Sequence, residues 1–342
     1  MKPVELLELE SRRWLDFVSG RPDALPFHRA GWARTVAEPY GFRTFAAVVE
    51  DDFGEIVAGI PLAEARKPWS RRPSWTALPF TDRCPPLATD AVSERALLTG
   101  LDDLRRTLGL SAVEIRSRQQ VGFSRDAGVI HRLDLRLGLE RVRSGFSRSQ
   151  VERQLRRAER EGVLVHSSTA ARDVLETFYR LHVETRRRQG VPVQPRSFFR
   201  ALAAHLAEPD VGEVLIAEVD GRAAAAAVFL ASPGTVVYKF GASDPSLLDV
   251  RPNHPLFLRA IERAIGRGAT EFDFGKTDTH NAGLRRFKSS WGASEEPLTF
   301  TVLAEKAPKR APATPGLAAR VIRHSPPWVA RAAGALLYRY AA

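Results

Sequence analysis

The stretch TEFDFGKTDTHNAGLRRFKSSWG, Thr270 to Gly292, decides the fold of this chain because it reads as strand, loop and helix in immediate succession. Phe272 and Phe274 alternate with Glu271 and Asp273, the period of two expected of a strand with one buried face. Gly275 is read as its end, and Lys276 to Gly283, with His280 and Asn281, as a polar loop. Leu284, Phe287 and Trp291 then recur at helical spacing until Gly292 supplies a stop. Arg285 and Lys288 share one face of that helix and repel unless an anion or carboxylate lies between them; Arg286 and Lys276 add to the local charge. A solvated basic face has the same composition. The constellation adds to it: an acid in the strand, a polar loop and a basic helix with aromatic anchors make a concave site where α/β sheets bind ligands.

Outward from that stretch, 342 residues with 44% apolar composition suggest two domains at roughly 150 residues each. The balance of 51 basic against 40 acidic residues, a net charge of +11, points to a phosphate-rich partner or an anionic membrane surface. The one cysteine, Cys84, excludes an intramolecular disulfide framework and fits a reducing cytoplasm, where it reads as a small buried hydrophobe. No His-Glu-x-x-His spacing occurs, so no metal site is expected. An acidic amphipathic segment follows Met1 and Lys2, so no secretory leader is expected, and the small-apolar run Ala223 to Ala231 is too short to span a bilayer.

Along the chain, helices are expected at Ser11 to Gly20 and Arg29 to Tyr40, then a hairpin of Thr44 to Glu50 with Glu55 to Ala63. A strand from Trp75 to Phe80 runs into a Pro-rich loop, Ser93 caps a helix to Gly109, and Val113 to Arg116 and Ile130 to Leu135 are strands. Ser149 to Gly162 is a helix in which Arg153, Arg156, Arg157 and Arg160 leave Val151, Leu155 and Ala158 to pack. The order then repeats. Helices Asp173 to Gln189 and Arg196 to Ala207 precede a hairpin of Glu213 to Val219 with Arg222 to Ala231. Strand Thr235 to Ala242, helix Pro255 to Gly268, strand Glu271 to Gly275 and strand Leu298 to Leu303 complete the second set. This is a duplicated α/β plan: two tandem domains, 1–145 and 146–305, each a mixed twisted sheet flanked by helices, with the main site in the second.

The residues Leu78-Pro79-Phe80-Thr81-Asp82, Tyr238 to Asp244, Arg251-Pro252-Asn253-His254, and Phe272 to Gly275 with Gly283 to Lys288 and Trp291-Gly292 carry a family resemblance. Together they resemble the Fem-type branch of the GNAT acyltransferase superfamily over roughly residues 30 to 305. The resemblance implies two tandem GNAT-like domains and, in the better characterised members, transfer of an amino acid from aminoacyl-tRNA to an amine of a peptidoglycan precursor. It also implies a Phe-Lys pair at the reacting centre, here Phe287 and Lys288. Lys288 is expected at the polar edge of its helix, adding little to folding and meeting developing negative charge or a nearby phosphate, with Phe287 as the wall behind it. Lys276, Arg285 and Arg286 are then candidates for tRNA or precursor phosphates, with Trp291, His280 and Asn281 in the substrate region.

An aminoacyl ester is already activated, so such an enzyme mainly aligns an amine with the carbonyl and stabilises the oxyanion. Asp82 and Asp273 either orient the amine or accept its proton, and each also fits a loop cap or an arginine partner. Tyr238, Asn253 and His254 line the neighbouring strand end, where His254 fits a helix cap as well as a substrate contact. An acetyl-CoA GNAT holds pyrophosphate on a glycine-rich turn at a helix N-terminus. The matching Asp249 to Pro255 has no glycine, and Pro252 and Pro255 remove two donors. Aminoacyl-tRNA is therefore the expected co-substrate, with no other cofactor, acyl-CoA the alternative donor, and a non-catalytic RNA or anionic-lipid binder a third reading.

Lys306 to Gly316 reads as a Pro-rich basic linker. Beyond it, Leu317 to His324 and Trp328 to Tyr340 are expected as helices, with Trp328, Val329, Ala332, Ala333, Leu336, Leu337 and Tyr340 as one apolar stripe. That stripe fits packing on the protein itself or peripheral contact of 317–342 with an anionic membrane, so the expected location is the cytoplasm, with the second alternative placing the chain at the inner face of the membrane.

Overall fold

The computed structural model describes residues 1–66, 70, 72–308 and 316–340. The stretch 309–315, most of the expected linker, lies outside them. Two compact units emerge: Met1–Ala127 with Pro297–Ala311 and Leu337–Ala342, and Gly128–Glu296 with Pro312–Leu336.

In the first unit, β1 (Glu5–Leu7) is followed by α1 (Arg12–Ser19), α2 (Ala30–Ala37), β2 (Arg43–Glu50), β3 (Ile56–Ala65), β4 (Ser74–Thr76), β5 (Leu87–Ala88), α3 (Ala91–Thr107) and β6 (Val113–Ile115). The Asp51 carboxylate builds the expected hairpin turn by accepting from the Phe53 and Glu55 amides. Asp90, not Ser93, caps α3, accepting from the Val92 and Ser93 amides. The expected strand through Phe80 stops at Thr76, because Leu78 and Phe80 flank Pro79 with φ of 49° and 60°. Arg116 donates to the Thr81 carbonyl at 2.6 Å and Trp32 to the Thr81 hydroxyl at 2.8 Å, which fixes that loop. Asp82 lies in it, half-buried, its charge acting on Arg116.

Strand β7 (Phe123–Asp134) leads to the second unit: α4 (Gly138–Ser144), a π turn Arg148–Glu152 continued by α5 (Arg153–Arg160), β8 (Leu164–Ser168), a π turn Asp173–Phe178 continued by α6 (Tyr179–Gln189), and α7 (Arg196–Leu206). Then come β9 (Gly212–Val219), β10 (Arg222–Ala231), β11 (Thr235–Ser243), α8 (Asn253–Gly266), β12 (Glu271–Thr277), α9 (Ala282–Ser289) and β13 (Ser294–Leu303), with α10 (Gly316–His324) and α11 (Pro327–Leu337) in the tail.

The sheets repeat one plan. In the first unit β1, β2, β3 and β4 are antiparallel neighbours, β4 and β6 run parallel, and β13 closes antiparallel on β6. In the second, β8, β9, β10 and β11 are antiparallel neighbours, β11 and β12 run parallel, and β7 closes antiparallel on β12. Each unit thus takes its closing strand from the part of the chain expected to finish the other, which moves the division away from 145/146. Strand periodicity is local and register is not, so the alternation of Ile130 to Leu135 carries no mark of its partner. Leu133, Leu135, Val142 and Phe146 fill the second unit's core with Phe257, Phe272, Phe274 and Trp291, which is why α4 goes with it.

Candidate functional site

The site in the second unit is organised by a defect in β12. Asp273 pairs with Arg132 and Lys276 with Ile130, so Phe274 and Gly275 together oppose His131, and the strand continues to Thr277 instead of ending at Gly275. Gly275 has φ of 70°, a conformation glycine adopts without strain, as a bulge requires. The buried Asp273 carboxylate accepts from the Gly275 amide at 2.7 Å. From α9, the Lys288 ammonium donates to the Gly275 carbonyl at 2.7 Å and the Lys276 carbonyl at 3.3 Å. Lys288 is only 1% exposed, so it is not the edge residue its helix position suggested; it holds the bulge from inside.

Behind the bulge lies a second polar group. His131 on β7 is fully buried, with Nε2 3.1 Å from the Glu295 carboxylate. Arg285 grips that carboxylate through Nε and Nη2 at 2.8 and 2.6 Å, and its Nη1 donates to the Thr279 carbonyl at 3.0 Å. Burial, then the Lys288 charge, pushes the His131 imidazole below its ordinary range, while the Arg285 hydrogen bond holds Glu295 below the usual carboxylate range. Arg285 therefore ties the loop before α9 to β13 and is committed to a carboxylate, not to a phosphate.

Strands β11 and β12 pair only over Thr235–Val237 with Glu271–Asp273. Beyond that the two strands no longer pair, and the gap opens at their carboxyl ends. Tyr238 is the first β11 residue past it, its ring 4.8 Å from Phe257 and 5.7 Å from Phe229. Its hydroxyl lies over Gly241, where a Cβ would stand 2.0 Å from the oxygen, so only glycine fits beneath it. Burial pushes the phenol up to about 12, so it stays protonated at neutral pH.

Residues 145–289 match the family described as Acetyltransferase (GNAT) domain. An 89-residue stretch is 32% identical to the lipid II:glycine glycyltransferase of Staphylococcus epidermidis, covering 24% of this chain and 21% of that protein, so the chain spans about a fifth of the length of the curated relatives it matches. The crystal structure of FemX superposes with a TM-score of 0.69 at 17% identity, covering 86% of this chain and 96% of that one. The chain thus has the fold of FemX and carries a GNAT-domain match over 145–289. The C-terminal domain of a putative lysylphosphatidylglycerol synthetase from Agrobacterium fabrum shares the fold at a TM-score of 0.56 and 12% identity, covering 86% and 90% of the two chains.

Within this fold, the expected site residues divide by what they touch. Lys288, Asp273 and the backbone of Lys276 meet at the bulge, whereas Asp82 belongs to the first unit. Phe287 is half-buried against His254, Phe257 and Trp291, the wall expected of it. Trp291 is fully buried, its ring 5.0 Å from Phe146, so it is a core anchor and not a substrate contact. Asn253 bonds the Ser243 hydroxyl, joining the end of β11 to α8. Asn281 caps α9 by accepting from the Leu284 amide, and the exposed His280 closes a turn on Asp278 through its backbone. Arg286 is exposed and makes no ion pair among the described residues. Sequence reasoning missed His131 and Glu295; a histidine inside an otherwise apolar alternating strand was the available signal for the first.

His254 does not cap α8. Its Nε2 reaches the Gln150 carbonyl at 3.0 Å and its ring stacks on Trp291, and burial lowers it to about 4. His28 and His182 are likewise buried, lowered to about 4 and about 3. Each folded-state value lies below the unfolded value near 6.5, so between about 4 and 6.5 the unfolded chain binds more protons and stability rises with pH. The midpoint of thermal unfolding is expected to fall steadily as pH is lowered from 7 to 4. A midpoint constant over that range would contradict three neutral buried imidazoles.

Proposed function

We propose that this chain is an N-acyltransferase moving an aminoacyl group from aminoacyl-tRNA to an amine of a peptidoglycan precursor or small peptide-like acceptor. The observation that carries the donor is the start of α8. Pro252 stands at its cap after Arg251 with φ of 60°, the His254 amide is spent on the Arg251 carbonyl, and Pro255 has no amide hydrogen. A coenzyme A pyrophosphate needs those donors. The net charge of +11 instead suits a nucleic-acid donor. The stretch matched to a lipid II:glycine glycyltransferase supports a cell-wall precursor as acceptor.

In this reading the acceptor nitrogen attacks the ester carbonyl, the ester C–O bond breaks, and the proton lost by the amine ends on the departing ribose hydroxyl. Tyr238, protonated beside the gap between β11 and β12, donates to the leaving oxygen and regains a proton from the amine. Lys288 and Asp273 fix the bulged backbone that forms the other wall. The test is incubation of purified protein with charged tRNA and amine-bearing muropeptide precursors, read by mass spectrometry. An acceptor heavier by one aminoacyl residue is expected; no gain on any acceptor contradicts the reading.

The same proposal extends to peripheral contact with an anionic membrane through the tail. Among the described residues no helix is long and apolar enough to cross a bilayer. The buried face of α11 is Ala330 and Gly334, with the Val193 amide donating to the Ala330 carbonyl at 3.0 Å, so part of the expected stripe is left outside: Trp328 is 61% and Leu336 66% exposed. Arg320, Arg323 and Arg331 are exposed beside them, and 316–340 contains no acidic residue. That combination suits an interfacial helix. Because removing the tail would uncover Val193 and α6, the sharper variant is Trp328→Ser with Leu336→Ser, expected to keep its unfolding midpoint and lose most co-sedimentation with anionic vesicles at low salt. Equal sedimentation of variant and parent contradicts the contact.

A further inference from the structure

We propose that the solvent face of α5 is the ridge that holds the phosphate backbone of the tRNA donor, an inference that rests on the donor reading above. At about 100° per residue, Arg153, Arg156, Arg157 and Arg160 fall within an arc of about 100°, with Glu159 and Glu161 flanking it on either side. The opposite face is spent on the core, through Leu155 and Ala158, with Val151 in the preceding π turn. Several surface arginines elsewhere in this unit are matched to acids: Arg143 grips Glu152 at 2.8 and 3.0 Å, Arg263 and Arg267 share Glu213, and Arg285 holds Glu295. On α5 only Arg157 makes an ion pair, with Glu161 at 3.8 Å, and Arg156 acts on Glu152 at longer range. Arg153, Arg156 and Arg160 are exposed and make no ion pair among the described residues. Exposed Arg148, one turn earlier, extends the row.

The ridge begins at the site. The Gln150 carbonyl accepts from His254 Nε2 at the first turn of α8, and the Ser147 amide donates to the Ser290 carbonyl at the end of α9 at 2.8 Å. A strand of phosphates lying on the arginines is thereby led to the corner where α8 and α9 meet. From Arg153 to Arg160 the helix rises about 10 Å, roughly three steps of a stacked nucleic-acid strand at about 3.4 Å each. An anionic membrane fits this face poorly, since an interfacial helix inserts a free apolar side and that of α5 is buried.

The test is the triple variant Arg153→Gln, Arg156→Gln, Arg160→Gln, titrated with tRNA at several salt concentrations beside the parent, with circular dichroism and unfolding midpoint as folding controls. Losing three phosphate contacts is expected to reduce the slope of log affinity against log salt by about 2 to 3 and to weaken binding at least about 10-fold at low salt. Unchanged slope and affinity in a variant of a parent that binds tRNA would overturn the ridge and leave the donor reading standing. A parent that does not bind tRNA at low salt would overturn both. Loss of anionic-vesicle binding with tRNA binding intact would reassign the face to a membrane and overturn the proposal.

Discussion

Lys288→Met is expected to lower transfer at least about 100-fold and also to destabilise the second unit by about 2 to 4 kcal/mol. The two effects have one cause. The ammonium of Lys288, a residue only 1% exposed, is the donor to the Gly275 and Lys276 carbonyls, and methionine of similar length removes both hydrogen bonds while leaving the Gly275 oxygen buried. A hydrogen bond from a charged group contributes about 1.5 to 3 kcal/mol, and an orphaned carbonyl costs about as much again as its desolvation. The bulge also sets the wall of the gap opposite Tyr238, so its relaxation misaligns substrate; a small misplacement is enough for a loss of about 100-fold. Denaturant unfolding and single-turnover transfer, both run where the variant is folded, separate the two. A variant with parental stability and parental rate would remove Lys288 from the site and the bulge from the account.

That prediction reverses what the helix pattern suggested for Lys288, and the reason is instructive. Leu284, Phe287 and Trp291 mark an apolar stripe, and beside it Lys288 reads as a cation at the polar edge of the helix, adding little to folding. The pattern reports which residues are apolar, not that a strand folding under α9 offers two carbonyls to an ammonium. Gly275 misled in the same way: a glycine closing an alternating run reads as a terminator, whereas a bulge depends on register with β7, which no local period encodes. Trp291 was legible as a helix anchor but not as a residue with no exposed surface. The tandem plan, its hairpins and the order of helices were readable because each rests on short-range periodicity and turn chemistry. The exchange of β7 and β13 between the units was not, since both are ordinary alternating strands whose partners lie far away in sequence. His131 and Glu295 escaped for a related reason: they lie on different strands, and only the fold brings them within 3.1 Å of each other.

The largest expected effect is also the most direct test of the central claim, that the acyl donor is an aminoacyl-tRNA. Purified protein is given a radiolabelled amino acid on tRNA, and in parallel radiolabelled acetyl-CoA, with a mixture of amine-bearing muropeptide and peptide acceptors; ribonuclease is added to one half of each. The blunted start of α8, where Pro252 and Pro255 supply no amide hydrogens and the His254 amide is already bonded, predicts transfer from the tRNA arm and none from the thioester. Ribonuclease is then expected to abolish transfer, because the arginines that would hold the donor meet phosphates and not the aminoacyl group. Transfer that survives ribonuclease and requires the coenzyme A thioester would contradict the account.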